Sequence, residues 1–225
     1  MPENQNERTP FVVKDCALIA IATGEKAQNL RELRDRLLVI DAGSIYYHFW
    51  AGRLRPGFDD PEYNNDFASW GRHALHDGKI AERLGAIDPK EFESLEDLRH
   101  ELIEVIEERL DESEMVPWAK SDQQFNFLTS QIVVFTTKKS LEHPKDLVDA
   151  IPRMSVGSIF YHFIDAMRRT PNKTDDFREW LSGFNQKYAG LYDEIAKLDP
   201  YFQTLTQIRE QLSQIFKSYF KRSSK

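Results

Sequence analysis

Cysteine is all but missing from this chain: Cys16 is the single one among 225 residues. No internal disulfide can therefore staple the fold, and a reducing compartment suits it. Long apolar runs are missing too, since none approaches the ~20 residues that a membrane-spanning helix requires. Residues 1–10 are polar and lack the basic-then-apolar order of a secretory leader. Together these absences predict a cytosolic protein that does not cross a membrane. An excess of basic residues is also absent, with 30 Lys and Arg against 37 Asp and Glu. Nucleic acid, which wants a basic face, is not an expected partner. There is no glycine-rich phosphate loop, no cysteine cluster and no serine or cysteine in a nucleophile motif. Nothing in the chain announces a catalytic centre, and no cofactor is expected.

What is present is enough to build a core, with 40% hydrophobic and 12% aromatic residues. Charge is unevenly spread. Residues 1–114 hold 14 basic and 25 acidic side chains, a balance of −11, and the rest of the chain carries +4. Opposite signs favour docking of the two halves or head-to-tail self-association, within the short reach that salt allows.

The dominant feature is an internal repeat. Shifting residue 11 onto residue 125 aligns Phe11 with Phe125, Thr23 with Thr137, and Leu33 and Leu37 with Leu147 and Ile151. Gly43-Ser44-Ile45-Tyr46-Tyr47-His48-Phe49 then meets Gly157-Ser158-Ile159-Phe160-Tyr161-His162-Phe163. After a short deletion Asp66-Phe67 and Trp70 meet Asp176-Phe177 and Trp180, and Ile87-Asp88-Pro89 meets Leu198-Asp199-Pro200. So many anchors in one order predict two tandem copies of a single module.

Each copy reads as a strand region followed by four helices, an α+β and predominantly helical fold. The β-rich runs are 11–23 and 125–137, both with a break expected near Asp15 and Thr129. Helix one carries Leu30, Leu33, Leu37 and Ile40 at helical spacing. Helix two is expected to be capped by Ser44 or Ser158, and helix three by Asp66 or Asp176, with Asp176 and Glu179 in a box-like pair. Helix four opens on the boxes Ser94 to Asp97 and Thr204 to Gln207, the second followed by the stripe Leu205, Ile208, Leu212, Ile215 and Phe216. The organisation that follows is a flexible 1–10, repeat one at 11–110, a linker at 111–124, repeat two at 125–220 and a basic tail at 221–225. Two strands alone make a poor sheet. The copies are expected to pack about a pseudo-twofold axis as one intertwined domain.

The residues kept in both copies are the candidate ligand-binding set: Tyr47, His48, Asp66 and Trp70, with Tyr161, His162, Asp176 and Trp180. Each histidine sits four residues after its serine, and an Asp carboxylate within reach would orient the imidazole. Locking helix two to helix three is the favoured role, ahead of ligand contact and of acid–base chemistry. The tryptophans read first as packing anchors, although Trp also suits stacking on a sugar or flat surface. Asp88 and Asp199 are expected in turns, paired with Arg99 and Arg209. The first copy adds His73, His76 and Asp77, a weak metal candidate on one predicted helix face. A solvated face is the plainer reading of these three.

On the stretches 11–17, 43–49, 65–67 and 87–89, and on the second Gly-Ser-Ile-Phe-Tyr-His-Phe, the chain resembles an uncharacterised prokaryotic family of domains of unknown function. The likeness spans nearly the whole chain and implies no activity. The leading expectation is a non-enzymatic binding or regulatory protein whose partner is a protein or a small polar, sugar-like ligand. The alternatives are an enzyme acting on a carbohydrate or phosphorylated metabolite, and a structural partner that uses an exposed aromatic patch at Trp50 or Trp118.

Overall fold

Two 17-residue strands, β1 (Phe11–Ala27) and β2 (Phe125–Leu141), pair with each other as a two-stranded sheet. A computed structural model describes residues 9–55, 62–112 and 114–222. The fold is α+β and mainly helical. Thr23 Oγ1 donates to the Phe127 carbonyl and Thr137 Oγ1 to that of Val13, so the strands run antiparallel. The breaks expected at Asp15 and Thr129 do not occur, and both strands are continuous. Asp15 is tolerated because its carboxylate accepts from Ser155 Oγ at 2.7 Å and from the Cys16 amide at 2.8 Å.

The chain divides into two compact units, and the division cuts both strands: one is Leu18–Ile132, the other Met1–Ala17 with Val133–Lys225. In the first unit, strand residues 18–27 and 125–132 carry α1 (Leu30–Leu37), α2 (Ala42–Phe49), α3 (Asp66–His73), α4 (Gly78–Gly85) and α5 (Leu95–Asp111). Asn29 caps α1, and the Ser94–Asp97 box opens α5 as its sequence predicts. The apolar stripe of α5, Leu98, Leu102 and Ile106, faces α1, α2 and α4 and is buried with Leu33, Leu37, Phe49 and Phe67.

The second unit is built around the 18-residue α11 (Leu205–Arg222). Before it come α6 (Leu147–Ala150), α7 (Val156–Ile159), α8 (Ala166–Arg169), α9 (Asp176–Ser182) and α10 (Ala189–Ala196). A π-helical turn, Phe160–Asp165, joins α7 to α8. Thr204 and Gln207 form the expected box, and Leu205, Ile208, Leu212 and Phe216 are buried, with Ile215 at the margin.

Several local expectations are corrected. Each helical series has a further member, α4 or α10, that the sequence pattern did not single out. The caps are displaced outward. Asp41 and Ser155 cap the helices of the Gly-Ser motif, and Asn65 and Asp175 cap α3 and α9. Ser44, Ser158, Asp66 and Asp176 thus lie inside their helices with side chains available for other work. The Asp176–Glu179 box is not formed, and Glu179 instead accepts from Asn172 and Thr174. Arg99 and Arg209 donate to the carbonyls of Leu37 and Met154 rather than to Asp88 and Asp199. Asp88 and Asp199 do occupy turns, accepting from the amides of Lys90 and Tyr201. The basic tail is partly helix, since α11 reaches Arg222. Residues 1–8 of the expected flexible end, Ser113 of the expected linker and 223–225 of the tail lie outside the described residues.

The glycine of the Gly-Ser motif is a steric requirement. A Cβ on Gly157 would overlap the Cys16 carbonyl oxygen and lie 2.6 Å from Asp15 Oδ1. One on Gly43 would lie 2.7 Å from Asp41 Oδ1 and 3.1 Å from Thr129 Oγ1. Strand backbone therefore crosses hard against the first turn at Gly157, whereas at Gly43 the space is taken mainly by the capping Asp41 side chain. Gly157→Ala is expected to cost about 2 kcal/mol despite its better helix propensity, because backbone must move. Gly78→Ala, whose nearest neighbour is the tip of Arg72, should stay within about 0.5 kcal/mol of the parent. Equilibrium denaturation of both variants checks this, and equal losses would contradict it.

Candidate functional site

In the unit of residues 18–132, one strand residue has both its backbone groups held by side chains of a single helix. Ser44 Oγ donates to the Leu128 carbonyl at 2.7 Å, and the Leu128 amide donates to His48 Nε2 at 3.1 Å. Positions i and i+4 share a helix face one turn apart, about the reach needed to span one residue of extended chain. An amide N–H can only donate, so Nε2 carries the lone pair and the proton sits on Nδ1. Nδ1 donates to Asp66 Oδ2 at 2.8 Å. Arg55 completes the chain of contacts, with Nη2 2.5 Å from Asp66 Oδ1.

The unit containing residues 133–225 makes a matching set of contacts. Ser158 Oγ donates to the Lys14 carbonyl at 2.6 Å, and the Lys14 amide donates to His162 Nε2 at 2.9 Å. His162 Nδ1 lies 2.7 Å from Asp176 Oδ2, to which Arg169 Nη2 also donates at 3.1 Å. Here the histidine sits in the π-helical turn. The two arginines escaped the sequence comparison, yet each stands seven residues after its histidine at the same offset. Carrying the alignment past Phe49 and Phe163 would have found them.

Both imidazoles are buried, at 4% and 3% exposure, under aromatic rings: Phe67, Phe125 and Phe127 over His48, Phe11 and Phe177 over His162. Burial lowers the His48 pKa, and the Asp66 carboxylate opposes this without cancelling it. Burial likewise pushes the Asp66 carboxyl up, but hydrogen bonding to His48 and the Arg55 charge hold it below the usual carboxylate range. With both ring nitrogens engaged, neither histidine offers a lone pair to a metal or a substrate while its strand contact stands. Cys16, which donates from Sγ to the Gly157 carbonyl, is pushed up to about 12 by burial and is no nucleophile.

The remaining candidates are more dispersed. Tyr47 and Tyr161 are buried, the latter beneath the Arg169 guanidinium at 3.9 Å. Trp70 is buried, its Nε1 donating to the Gln123 carbonyl, whereas Trp180 is half-buried and donates to that of Thr9. His73, His76 and Asp77 do not share a helix face. α3 ends at His73, His76 adopts a left-handed φ of 58°, and Asp77 caps α4. They go separate ways: His73 to Glu62, His76 to Asp122 and Asp77 to Arg109. Among the described residues no cluster of three or more acids, histidines or cysteines is placed to hold a metal. Trp50 is buried rather than displayed, while Trp118 is 72% exposed, with Arg31 over its ring.

The first unit also contains an open cleft of about 440 Å³. Trp70 and Phe125 supply its apolar wall, Arg55, Asp66 and His73 one polar side, and strand-side residues Asp122, Gln123 and Asn126 the other. Arg55 is ion-paired with Asp66, while His73 contacts Glu62 and His76 contacts Asp122.

The chain belongs to DUF5752, a family of unknown function, matched over residues 8–217. The fold is similar to that of OrfY from Thermoproteus tenax, at 28% identity and a TM-score of 0.75 over 93% of this chain and 95% of that one. No curated protein matches it. No helix among the described residues is long and apolar enough to cross a membrane.

Ser44→Ala should cost about 1 kcal/mol, one hydrogen bond to a strand carbonyl. His48→Phe should cost about 3 kcal/mol, because it strands both the Leu128 amide and the Asp66 carboxylate. With a lowered His48 pKa, the unfolded chain takes up its proton first as pH falls. Stability is then full above about pH 6.5 and declines below it, with the Asp66 contribution lost further down as the carboxyl protonates. Urea midpoints between pH 7.5 and 5 read the His48 component, which His48→Gln should flatten.

Proposed function

We propose that this member of a family of unknown function is a cytosolic, non-enzymatic binding module whose ligand seat is the cleft in residues 18–132. The observation that carries the reading is the cleft itself: roomy, walled by Trp70 and Phe125, and rimmed by amide side chains and the Arg55–Asp66 ion pair. Such a lining suits a small, neutral, polar ligand of sugar-like character, which offers hydroxyls to the amides and C–H faces to the rings. A phosphorylated ligand finds less support, because Arg55 is already committed to Asp66. The enzymatic alternative is weakened by the saturation of both histidines. Use of Trp118 as a protein contact remains a second reading, favoured by its 72% exposure.

The same proposal includes a duplicated origin. It is supported by the residue-for-residue match of Gly, Ser, His, Asp and Arg in the two clamps, and by their cross-supply. The helix of each half holds strand residues encoded in the other: His48 takes Leu128 and His162 takes Lys14. Two copies that traded strand segments account for this, and the pseudo-twofold relation expected from the sequence is part of the reading.

Titration of the labelled protein with neutral mono- and disaccharides, followed by amide and indole NMR shifts, tests the ligand assignment. Shifts should cluster at Trp70, Gln123 and Asn126, and Asn126→Ala should weaken binding about five- to tenfold through one lost hydrogen bond. Shifts scattered away from the cleft, or none at millimolar sugar, would contradict it.

A further inference from the structure

We propose that the two histidine–strand contacts are proton-operated latches, which hold residues Leu128 and Lys14 while the imidazoles are neutral and release them on protonation. The geometry requires this polarity. Each strand amide points its N–H at an imidazole Nε2, at 3.1 Å for Leu128 and 2.9 Å for Lys14. A proton placed on Nε2 turns the acceptor into a donor, so two N–H groups face each other and the bond is lost. No alternative acceptor is built into the ring, since Nδ1 is already the donor to the carboxylate.

At His48 burial and the Arg55 charge oppose the imidazolium and the Asp66 carboxylate favours it, so the latch opens below the ordinary imidazole range. His48 is faced by Asp66 at 2.8 Å and, beyond it, by Arg55; the strand side presents only Phe125, Phe127 and the Leu128 backbone. His162 is faced by Asp176 at 2.7 Å, with Arg169 behind it; Lys14 projects its ammonium over the Tyr161 ring, 5.7 Å from the centroid. Each carboxylate supplies a counter-charge for an imidazolium, while burial and the strand amide resist it. The proton therefore has a place to go, and its arrival removes one of the two side-chain grips on the strand residue. The serine grip remains, because a hydroxyl donating to a carbonyl does not titrate in this range. Acid thus loosens the strand at one defined residue in each unit while leaving α5 and α11 intact.

Amide hydrogen exchange of the full chain from pH 7.5 to 5, corrected for intrinsic exchange, reads the latches directly. Protection at Leu128 and Lys14 should fall about tenfold, the equivalent of one net hydrogen bond. Protection in the centres of α5 and α11 should stay constant. Ring ¹⁵N shifts of His48 and His162 in the same samples should show each loss of amide protection accompanying protonation of the Nε2 that holds that amide. Asp66→Asn, which keeps the hydrogen-bond acceptor but removes the counter-charge, should move the Leu128 midpoint to lower pH and leave Lys14 unmoved. Protection at the two amides that stays constant with pH, or that falls only together with α5 and α11, overturns the proposal. So does protonation of the rings without loss of protection, a reading the parent protein supplies even if the variant fails to fold.

Discussion

A strand residue gripped by its own backbone groups, carbonyl to serine and amide to histidine, is the interaction on which the rest of this fold depends. A two-stranded sheet leaves many main-chain donors and acceptors without a neighbouring strand, and buried ones are costly to leave unmade. Here a helix stands in for the missing strand at one residue per unit. Ser44 and His48 do this for Leu128, and Ser158 and His162 for Lys14. The other motif residues follow from that one requirement. Glycine precedes the serine because a Cβ would meet the strand backbone at Gly157 and the capping aspartate at Gly43. Aspartate opens the next helix to fix the imidazole tautomer, and arginine steadies the aspartate.

Much of this was legible in residue spacing, and what was not has identifiable causes. The recurrence of Gly, Ser, His and Asp singled out side chains that the fold brings into contact, each imidazole hydrogen-bonded to its aspartate. The serines were misread as caps because Ser at a helix start is so commonly one. Here the helices begin two residues earlier, at Ala42 and Val156, and Asp41 and Ser155 take that role. Half of each clamp lies far away in the sequence. The separation between His48 and Leu128 exceeds any local periodicity, so no pattern within a repeat could reveal which strand each histidine serves. The same remoteness hides the cleft, where the start of β2 and the residues just before it meet α3. α4 and the left-handed turn at His76 were lost because an eight-residue helix between two glycines carries little signal.

The division of labour within the first unit follows from the clamp as well. Saturating His48 removes it from chemistry but places Asp66 and Arg55 at the wall of an open cleft, with their charges balanced against each other. The aromatic residues that bury the imidazole, Phe125 above all, continue outward as the cleft's apolar side. One cluster therefore packs the imidazole at its inner end and lines the open cleft at its outer end.

The central claim is that a neutral imidazole accepts a hydrogen bond from the strand. Scalar coupling across hydrogen bonds reads this without a mutation, in uniformly ¹⁵N-labelled protein at pH 7.5. A two-bond nitrogen–nitrogen coupling should connect the Leu128 amide to His48 Nε2, and a second should connect the Lys14 amide to His162 Nε2. If instead those ring nitrogens carry protons at that pH and show no coupling to either amide, the helix is not standing in for a strand and the account is wrong.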